Sequence, residues 1–189
     1  YTCDKLIIAC GGLAGTKLGG SMSGYQLLRS FGHKVTKLRP ALVQLKSDWR
    51  ACAALKGVRT KCHAAIYHDG NLHAESTGEL QFTEYGLSGP VIFEVSRDVC
   101  QGRGEWICRL DLLPDLDEKQ VFDHLSQRCK TDLLADELFT GVLHNRLGRV
   151  VAQTAGIPGG RQISQLREDE LMQAVHTAKA LDIVLTEPM

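Results

Sequence analysis

A glycine-rich loop near the start of the chain contains the first residues that could carry chemistry. It runs over residues 11–24, follows an apolar segment and contains one cation, Lys17. Glycines after a buried strand let a ligand approach the backbone, and the N-terminus of a following helix attracts anions. The loop matches neither G-x-x-x-x-G-K-[ST] nor G-x-G-x-x-G. On these physical grounds alone, a long loop that needs positive φ angles is slightly favoured over a phosphate site.

A second candidate is the stretch over residues 83–90, which leads into a predicted helix. A helix start preceded by Ser88 and Gly89 exposes backbone N–H groups that could face a ligand. Ordinary capping by Ser88 explains the same residues without a ligand and is favoured. No G-x-S-x-G elbow is present, and acidic pairs such as Asp115 and Asp117 stand at helix starts, where they are solvated. We therefore assign no catalytic residue.

The seven cysteines are widely and irregularly spaced, and no C-x-x-C occurs among them. This spacing argues against a structural zinc site, so we predict no metal. Cys62 and Cys108 lie within alternating strand patterns, where cysteine is a small buried hydrophobe. Free, buried thiols indicate a reducing, cytoplasmic setting.

Composition supports an ordinary globular protein. The 189 residues carry 22 Lys+Arg against 22 Asp+Glu, and 43% are hydrophobic. A zero net charge gives no electrostatic reason to expect a nucleic-acid partner, and no apolar run reaches the roughly 18 residues of a membrane span. The chain begins at Tyr1 just before an apolar strand pattern and ends just after another. We therefore expect a fragment of a longer protein.

The elements that would position these residues change in character along the chain. We predict a buried, parallel-type strand over residues 4–12 and a helix that begins near Ser23 and ends at Gly32. A series of short strands follows, with alternation that suggests a small antiparallel barrel or sandwich. These strands are predicted at residues 34–38, 41–46, 58–66, 72–74, 80–82 and 106–110.

From Pro114 onward the pattern turns helical. Asp117 is the predicted N-cap of the first helix, and Ser164 is the predicted N-cap of the last. Further helices are predicted over residues 133–147 and 150–155, and a final strand over residues 183–185.

Four ordered motifs then resemble one family. They are the segment Lys5-Leu-Ile-Ile-Ala-Cys-Gly-Gly12 with the loop that leads to Tyr25, Leu38-Arg-Pro-Ala-Leu-Val43, Gly78-Glu-Leu-Gln-Phe-Thr83 with Gly86-Leu-Ser-Gly-Pro90, and Leu110-Asp-Leu-Leu-Pro-Asp115. They resemble the FAD-dependent oxidoreductases related to aminoacetone oxidase and to a bacterial dehydro-bile-acid reductase, the BaiN/YhiN-like flavoproteins. The resemblance spans nearly the whole chain.

The resemblance implies an α+β fold, in which a small antiparallel β-barrel and a helical subdomain are inserted into a Rossmann-like FAD domain. By that plan the FAD domain contributes residues 1–33 and a return strand over residues 182–189. The barrel would be residues 34–113, and the helical subdomain residues 114–181. The implied cofactor-binding residues are Cys10, Gly11, Gly12, Lys17, Gly24 and Tyr25. The implied substrate-side turn contains Thr83, Gly86, Ser88 and Gly89.

This chain departs from the family pattern at Cys10, Met22 and Ser23, and it lacks the N-terminal G-x-G-x-x-G. The resemblance therefore implies the insert region of a flavin enzyme that is inactive by itself. FAD would be bound by the longer parent, NAD(P)H is a candidate electron donor, and the substrate would be a small molecule. We expect no nucleic-acid or membrane partner. The alternative is a stand-alone barrel and helical module that binds a protein or small-molecule partner.

Overall fold

A computed structural model describes residues 2–99 and 104–188. The chain divides between Pro40 and Ala41 into two compact units, and each is described by itself.

The first unit, up to Pro40, contains little regular structure. A 3-10 turn spans Thr16–Leu18, and helix α1 spans Ser23–Ser30. Gly32 follows α1 in the left-handed conformation (φ 83°), as predicted. Met22 occupies the N-cap position, so Ser23 is the first helical residue rather than the cap.

The strands predicted over residues 4–12 and 34–38 are absent from the described chain. A strand needs a hydrogen-bonded neighbour, and residues 2–40 contain no second strand that could pair with them. Those two predictions were therefore wrong for this structure, because an apolar pattern can specify an extended segment without supplying its partner.

The second unit is built on a six-stranded antiparallel sheet in the order β1-β4-β3-β2-β5-β6. Its strands are β1 (Leu45–Lys46), β2 (Arg59–His68), β3 (Asn71–Thr83), β4 (Gly86–Ser88), β5 (Trp106–Asp111) and β6 (Leu181–Leu185). The predicted alternation is confirmed in β2, where Cys62, Ala64 and Ile66 are buried. Asp69 and Gly70, both with positive φ, form the tight turn between β2 and β3.

The two edges of the sheet meet through the chain that follows β6. The Lys46 N–H donates to the Glu187 carbonyl (2.8 Å), and the Thr186 N–H donates to the Lys46 carbonyl (2.9 Å). Leu45 and Pro188 form an antiparallel bridge beside them. The sheet is thus a nearly closed barrel, which confirms the predicted architecture. The last strand, expected to return to another domain, lies in this barrel next to β5.

Two helices pack against the barrel. The short helix α2 spans Ala51–Ala54 and α3 spans Pro90–Val99. Helix α3 buries Val91, Ile92 and Val95. The Ile92 and Phe93 N–H groups both donate to the Gly89 carbonyl, while Ser88 belongs to β4. The predicted helix start was right, but Ser88 is not its cap.

The helical region follows β5 and contains α4 (Glu118–Arg128), α5 (Asn145–Thr154) and α6 (Glu168–Lys179). Asp117 caps α4 as predicted, in a reciprocal capping box with Gln120. Ser164 does not cap α6: it lies in a 3-10 turn, and the Arg167 N–H is bound by the Glu170 carboxylate.

Most of the helix predicted over residues 133–147 is replaced by a 3-10 turn at Ala135–Glu137 and irregular chain, and α5 begins only at Asn145. Backbone hydrogen bonds pair this segment with the chain before α6: Ala135 N–H donates to the Arg161 carbonyl, and Ile163 N–H donates to that of Leu133. Tertiary pairing therefore overrides the local helical pattern.

One apolar core runs through the barrel and the helical region, from Leu45 and Ile66 to Leu147 and Val175. A half-buried ion pair fixes the junction, because the Lys179 ammonium lies 2.6 Å from the Asp111 carboxylate and also donates to the Leu113 carbonyl at 2.9 Å. Among the described residues, no helix is both long and apolar enough to cross a membrane.

The two units differ sharply in burial, which predicts how they resist proteolysis. In residues 2–40 only Gly24 is buried, so little apolar contact opposes local opening. We expect dilute trypsin to cut at Lys17, Arg29 or Lys34 well before sites in the barrel, as measured by timed mass spectrometry. If residues 2–40 are protected as firmly as the barrel, they are an integral part of a stand-alone module.

Candidate functional site

The predicted cofactor loop folds back onto the first turn of α1. A Cβ placed on Gly24 would lie 2.5 Å from the Cys10 Sγ, and one on Gly12 would lie 2.6 Å from the Tyr25 hydroxyl. The structure therefore brings Cys10, Gly12, Gly24 and Tyr25 together as two contacting pairs. Only glycine fits at positions 12 and 24 without displacing those side chains.

The other two predicted cofactor residues lie nearby in the same loop. Gly11 has a positive φ (74°) and open space where its Cβ would be, as does Gly19 (98°). Lys17 is exposed in the 3-10 turn. The backbone at Gly11 and Gly19 is thus open to close approach. Flavin contact by these residues stays a prediction.

The predicted substrate-side turn is built of residues that mostly serve the barrel. Gly86, Ser88 and Gly89 are buried, and the Thr83 hydroxyl donates to the Gly86 carbonyl (3.1 Å). A Cβ on Gly86 would lie 2.1 Å from the Leu45 carbonyl oxygen, so this turn is pressed against β1. The exposed residues of the turn are the intervening Glu84 and Tyr85.

Those exposed residues line a cleft with a volume of about 760 Å³. Its other walls come from the segment after β1, with Trp49 and Arg50, and from the chain after β6, with Glu187. Sequence reasoning missed Trp49 and Arg50, because they belong to no motif. Glu84 and Tyr85 fall within the predicted stretch over residues 83–90, but the sequence analysis gave them no role.

Ser47 holds the walls of this cleft together and is almost fully buried. Its hydroxyl donates to the Val184 carbonyl (2.6 Å) and accepts from the Trp49 N–H (3.1 Å). Its own N–H donates to the Tyr85 carbonyl (2.9 Å). One residue thereby fixes the turn, the segment after β1 and β6 relative to one another.

Charges around the cleft are partly neutralised by ion pairs. Lys46 lies 2.5 Å from Glu187, and Lys56 lies 2.7 Å from Glu84. The hydrogen bond from Lys56 lowers the pKa of the Glu84 carboxyl, so that group is ionised at neutral pH. Among the charged residues that line the cleft, Asp48 and Arg50 have no ion-pair or hydrogen-bond partner in the described chain.

The thiols differ in exposure. Cys3 and Cys10 are exposed, Cys129 is half-buried, and Cys52, Cys62 and Cys108 are buried; Cys100 lies outside the described residues. Burial raises the pKa of Cys52 to about 11 and that of Cys62 to about 12. Burial, reinforced by Cys62 and Asp182, also raises the pKa of Cys108. These three are inert core residues, as the alternating patterns around Cys62 and Cys108 predicted.

Comparison with known proteins identifies the family to which this fold belongs. The profile described as "HI0933-like protein barrel and H2TH domain" matches residues 39–189. The chain belongs to this HI0933-like family. The resemblance to the BaiN/YhiN-like FAD-dependent oxidoreductases is thereby confirmed, and the barrel and helical region coincide with the matched range.

Relatives of this HI0933-like chain are enzymes of more than one kind. It is 34% identical to the 3-dehydro-bile acid delta(4,6)-reductase of Clostridium scindens over 190 residues, which is 97% of this chain and 44% of the reductase. It is 35% identical to the ribosomal RNA dihydrouridine synthase of Escherichia coli over 118 residues, covering 61% of this chain and 28% of the synthase. The Haemophilus influenzae synthase is 26% identical over 142 residues, 71% of this chain and 32% of that protein. The chain thus spans less than half the length of these relatives.

A substitution at Gly86 tests whether the turn is held by its contact with β1. We expect Gly86→Ala to lower the free energy of unfolding by about 2 kcal/mol or more, because its Cβ would collide with the Leu45 carbonyl. Urea denaturation followed by circular dichroism measures this. The matched control is Gly78→Ala in β3, where the nearest atom is the Val91 Cβ at 3.6 Å. Equal effects at both positions would contradict the proposed contact.

Thiol labelling tests the burial of the cysteines. At pH 8 we expect iodoacetamide to modify Cys3 and Cys10 within minutes, while Cys52, Cys62 and Cys108 remain unmodified until urea unfolds the chain. The reason is that the reactive species is the thiolate, which burial suppresses at the three inner positions. Peptide mass spectrometry at successive times gives the rates. Similar rates at all five positions would show that the barrel core is open.

Proposed function

We propose that this chain supplies the barrel and helical part of a flavin-dependent reductase, with the cleft at Trp49 on its substrate side. The observation that supports it most is the alignment of 97% of the chain with a relative named as a reductase. The cleft lies where the chain leaves β1 and where it leaves β6, beside the turn between β3 and β4.

Residues 2–40 would belong to the flavin-binding part. They lie outside the family profile except for the last two, and they form a unit separate from the barrel. This unit exposes large apolar side chains, including Ile7 (90% exposed), Leu18 (94%) and Phe31 (64%). We propose that the flavin-binding part of the parent covers these side chains, since exposed apolar surface that forms a contiguous patch marks an interaction site.

The loop over residues 11–24 is chemically suited to a flavin cofactor. The open backbone at Gly11 and Gly19 permits close approach of a large anionic group, and Lys17 supplies a positive charge. The cofactor supplies the hydride-transfer chemistry when bound. The residues of this chain would bind and orient it, with Cys10 and Tyr25 shaping the loop. We assign no proton transfer to any side chain, and NAD(P)H remains the candidate electron donor.

The substrate is proposed to be a small molecule, although two of the relatives are named for a ribosomal RNA reaction. A polynucleotide is bound mainly through its phosphates, which requires a basic surface. Residues 114–180 carry eight Lys and Arg against ten Asp and Glu, so the helical region offers no excess of positive charge. A cleft of about 760 Å³ is within the range of small-molecule sites.

A chimera tests the proposed function. This chain would replace the aligned segment of the Clostridium scindens reductase, and the purified chimera would be assayed for bound flavin by absorbance near 450 nm and for reductase turnover. We expect flavin to be retained and turnover to be detectable, because the two segments share the fold. A chimera that carries Trp49→Ala should keep its flavin but raise the KM. A folded chimera without flavin would contradict the proposal.

The alternative function, a stand-alone binding module, makes a different prediction for the unfused chain. The reductase proposal expects this chain to be colourless after purification, since most of the flavin site would come from elsewhere. The binding-module hypothesis expects instead that residues 2–40 resist proteolysis together with the barrel.

A further inference from the structure

The cleft beside Trp49 has the character of a site for one chemical class of ligand. We propose that it binds a flat, mainly apolar organic anion, with the Trp49 indole as the stacking wall and Arg50 as the charge partner. This inference deepens the proposed function, since it names the class of substrate that the cleft would accept.

The Trp49 ring is held in place before any ligand arrives. Its backbone N–H is bound by the buried Ser47 hydroxyl, and its ring packs on Phe82 with centroids 6.3 Å apart and planes at 49°. Trp49 also borders a second, smaller cleft of about 240 Å³ with Ile183 and Val184. Trp49 is therefore one of the residues that the two clefts share. A wall that is already fixed loses little conformational entropy when a flat ligand stacks on it.

The charge distribution favours an anion at one position. Lys46 already faces Glu187, and Glu84 already faces Lys56, so these four groups are neutralised in pairs. Arg50 retains an uncommitted guanidinium, which can bind a carboxylate, sulfonate or phosphate through two parallel hydrogen bonds. Asp48 precedes Trp49 in the chain, whereas Arg50 follows it, and Asp48 borders both clefts. It would weaken binding of an anion without blocking the stacking face.

The remaining lining gives the cleft its apolar character. Tyr85 contributes a second aromatic ring and Ala53 a methyl group. A cavity of about 760 Å³ has room for a ligand of several fused rings. Fused rings would cover the indole, and an anionic substituent at one end would reach Arg50.

The experiment uses two probes with the same ring system, 2-naphthoate and its uncharged analogue 2-naphthamide. The chain contains only two tryptophans, so a ¹⁵N-labelled sample gives two indole N–H signals. Trp106 lies in β5, stacked on His68, and borders neither cleft, so its signal is an internal control. Trp49→Phe assigns the signals. We expect 2-naphthoate to shift the Trp49 signal saturably and to leave the Trp106 signal in place.

Three variants separate stacking from charge. Arg50→Gln should weaken the binding of 2-naphthoate about fivefold, which is the size of effect that an exposed ion pair supplies. The same variant should leave the affinity for 2-naphthamide unchanged. Asp48→Asn should increase the affinity for 2-naphthoate about twofold, because it removes a negative charge that repels the anion. Arg59→Gln, an exposed arginine of β2 paired with Glu79 outside the cleft, should change neither affinity.

The results of the probe-binding experiment test the proposed anion site independently of the proposed reductase function. Equal affinity for the two probes, or equal effects of Arg50→Gln and Arg59→Gln, would overturn the anion site. Shifts of both indole signals, or of neither, would overturn the stacking wall. Binding is measured on this chain without flavin, so loss of the probe site would leave the chimera result standing. Failure of the chimera would equally leave the binding result standing.

Discussion

Backbone hydrogen bonds at Lys46 close the six-stranded sheet, and the remaining features of the second unit depend on that closure. An open sheet would leave two rows of unpaired N–H and C=O groups at its edges. β1 is only two residues long, yet it pairs with β4 on one side and with the chain after β6 on the other. A contact between residues that are about 140 positions apart therefore completes the barrel.

Closure also brings together the parts that form the cleft. Because β1 and the end of β6 are adjacent, the segment that carries Trp49 and the chain around Glu187 lie side by side. Ser47 then links the Trp49 segment, Val184 of β6 and the turn at Tyr85 through part-buried hydrogen bonds. Such bonds are costly to break without replacement, since the buried groups would be left unsatisfied. The cleft is thus a consequence of how the barrel closes rather than a separate structure.

Sequence reasoning was accurate where the signal was local and periodic. Alternation predicted the buried face of β2, and Asp117 predicted the start of α4, since both signals depend on neighbouring residues. It failed where the structure depends on pairing between residues that are far apart in the sequence. The chain around Leu133 carries a helical pattern but pairs with residues near Ile163, and an apolar run at residues 4–12 has no strand partner in the described chain.

The candidate site was predicted only in part for a related reason. The glycines of the turn were visible because close backbone approach restricts residue type, as the contact of Gly86 with Leu45 shows. The cleft residues carry no such restriction. Trp49 and Arg50 become neighbours of Tyr85 only after the barrel closes, and no spacing rule in the sequence connects them.

The residues that close the barrel differ from the residues that line the cleft, so the ligand preference can change while the barrel stays the same. The buried residues of the turn and Ser47 maintain the closure, and changes there would disturb the whole barrel. The exposed side chains at positions 48, 50, 84 and 85 project from that fixed frame and take no part in the core. Their replacement can alter the charge and shape of the cleft at little cost in stability. Specificity in such a barrel is therefore expected to reside in these positions, while the glycines and the closure remain constant.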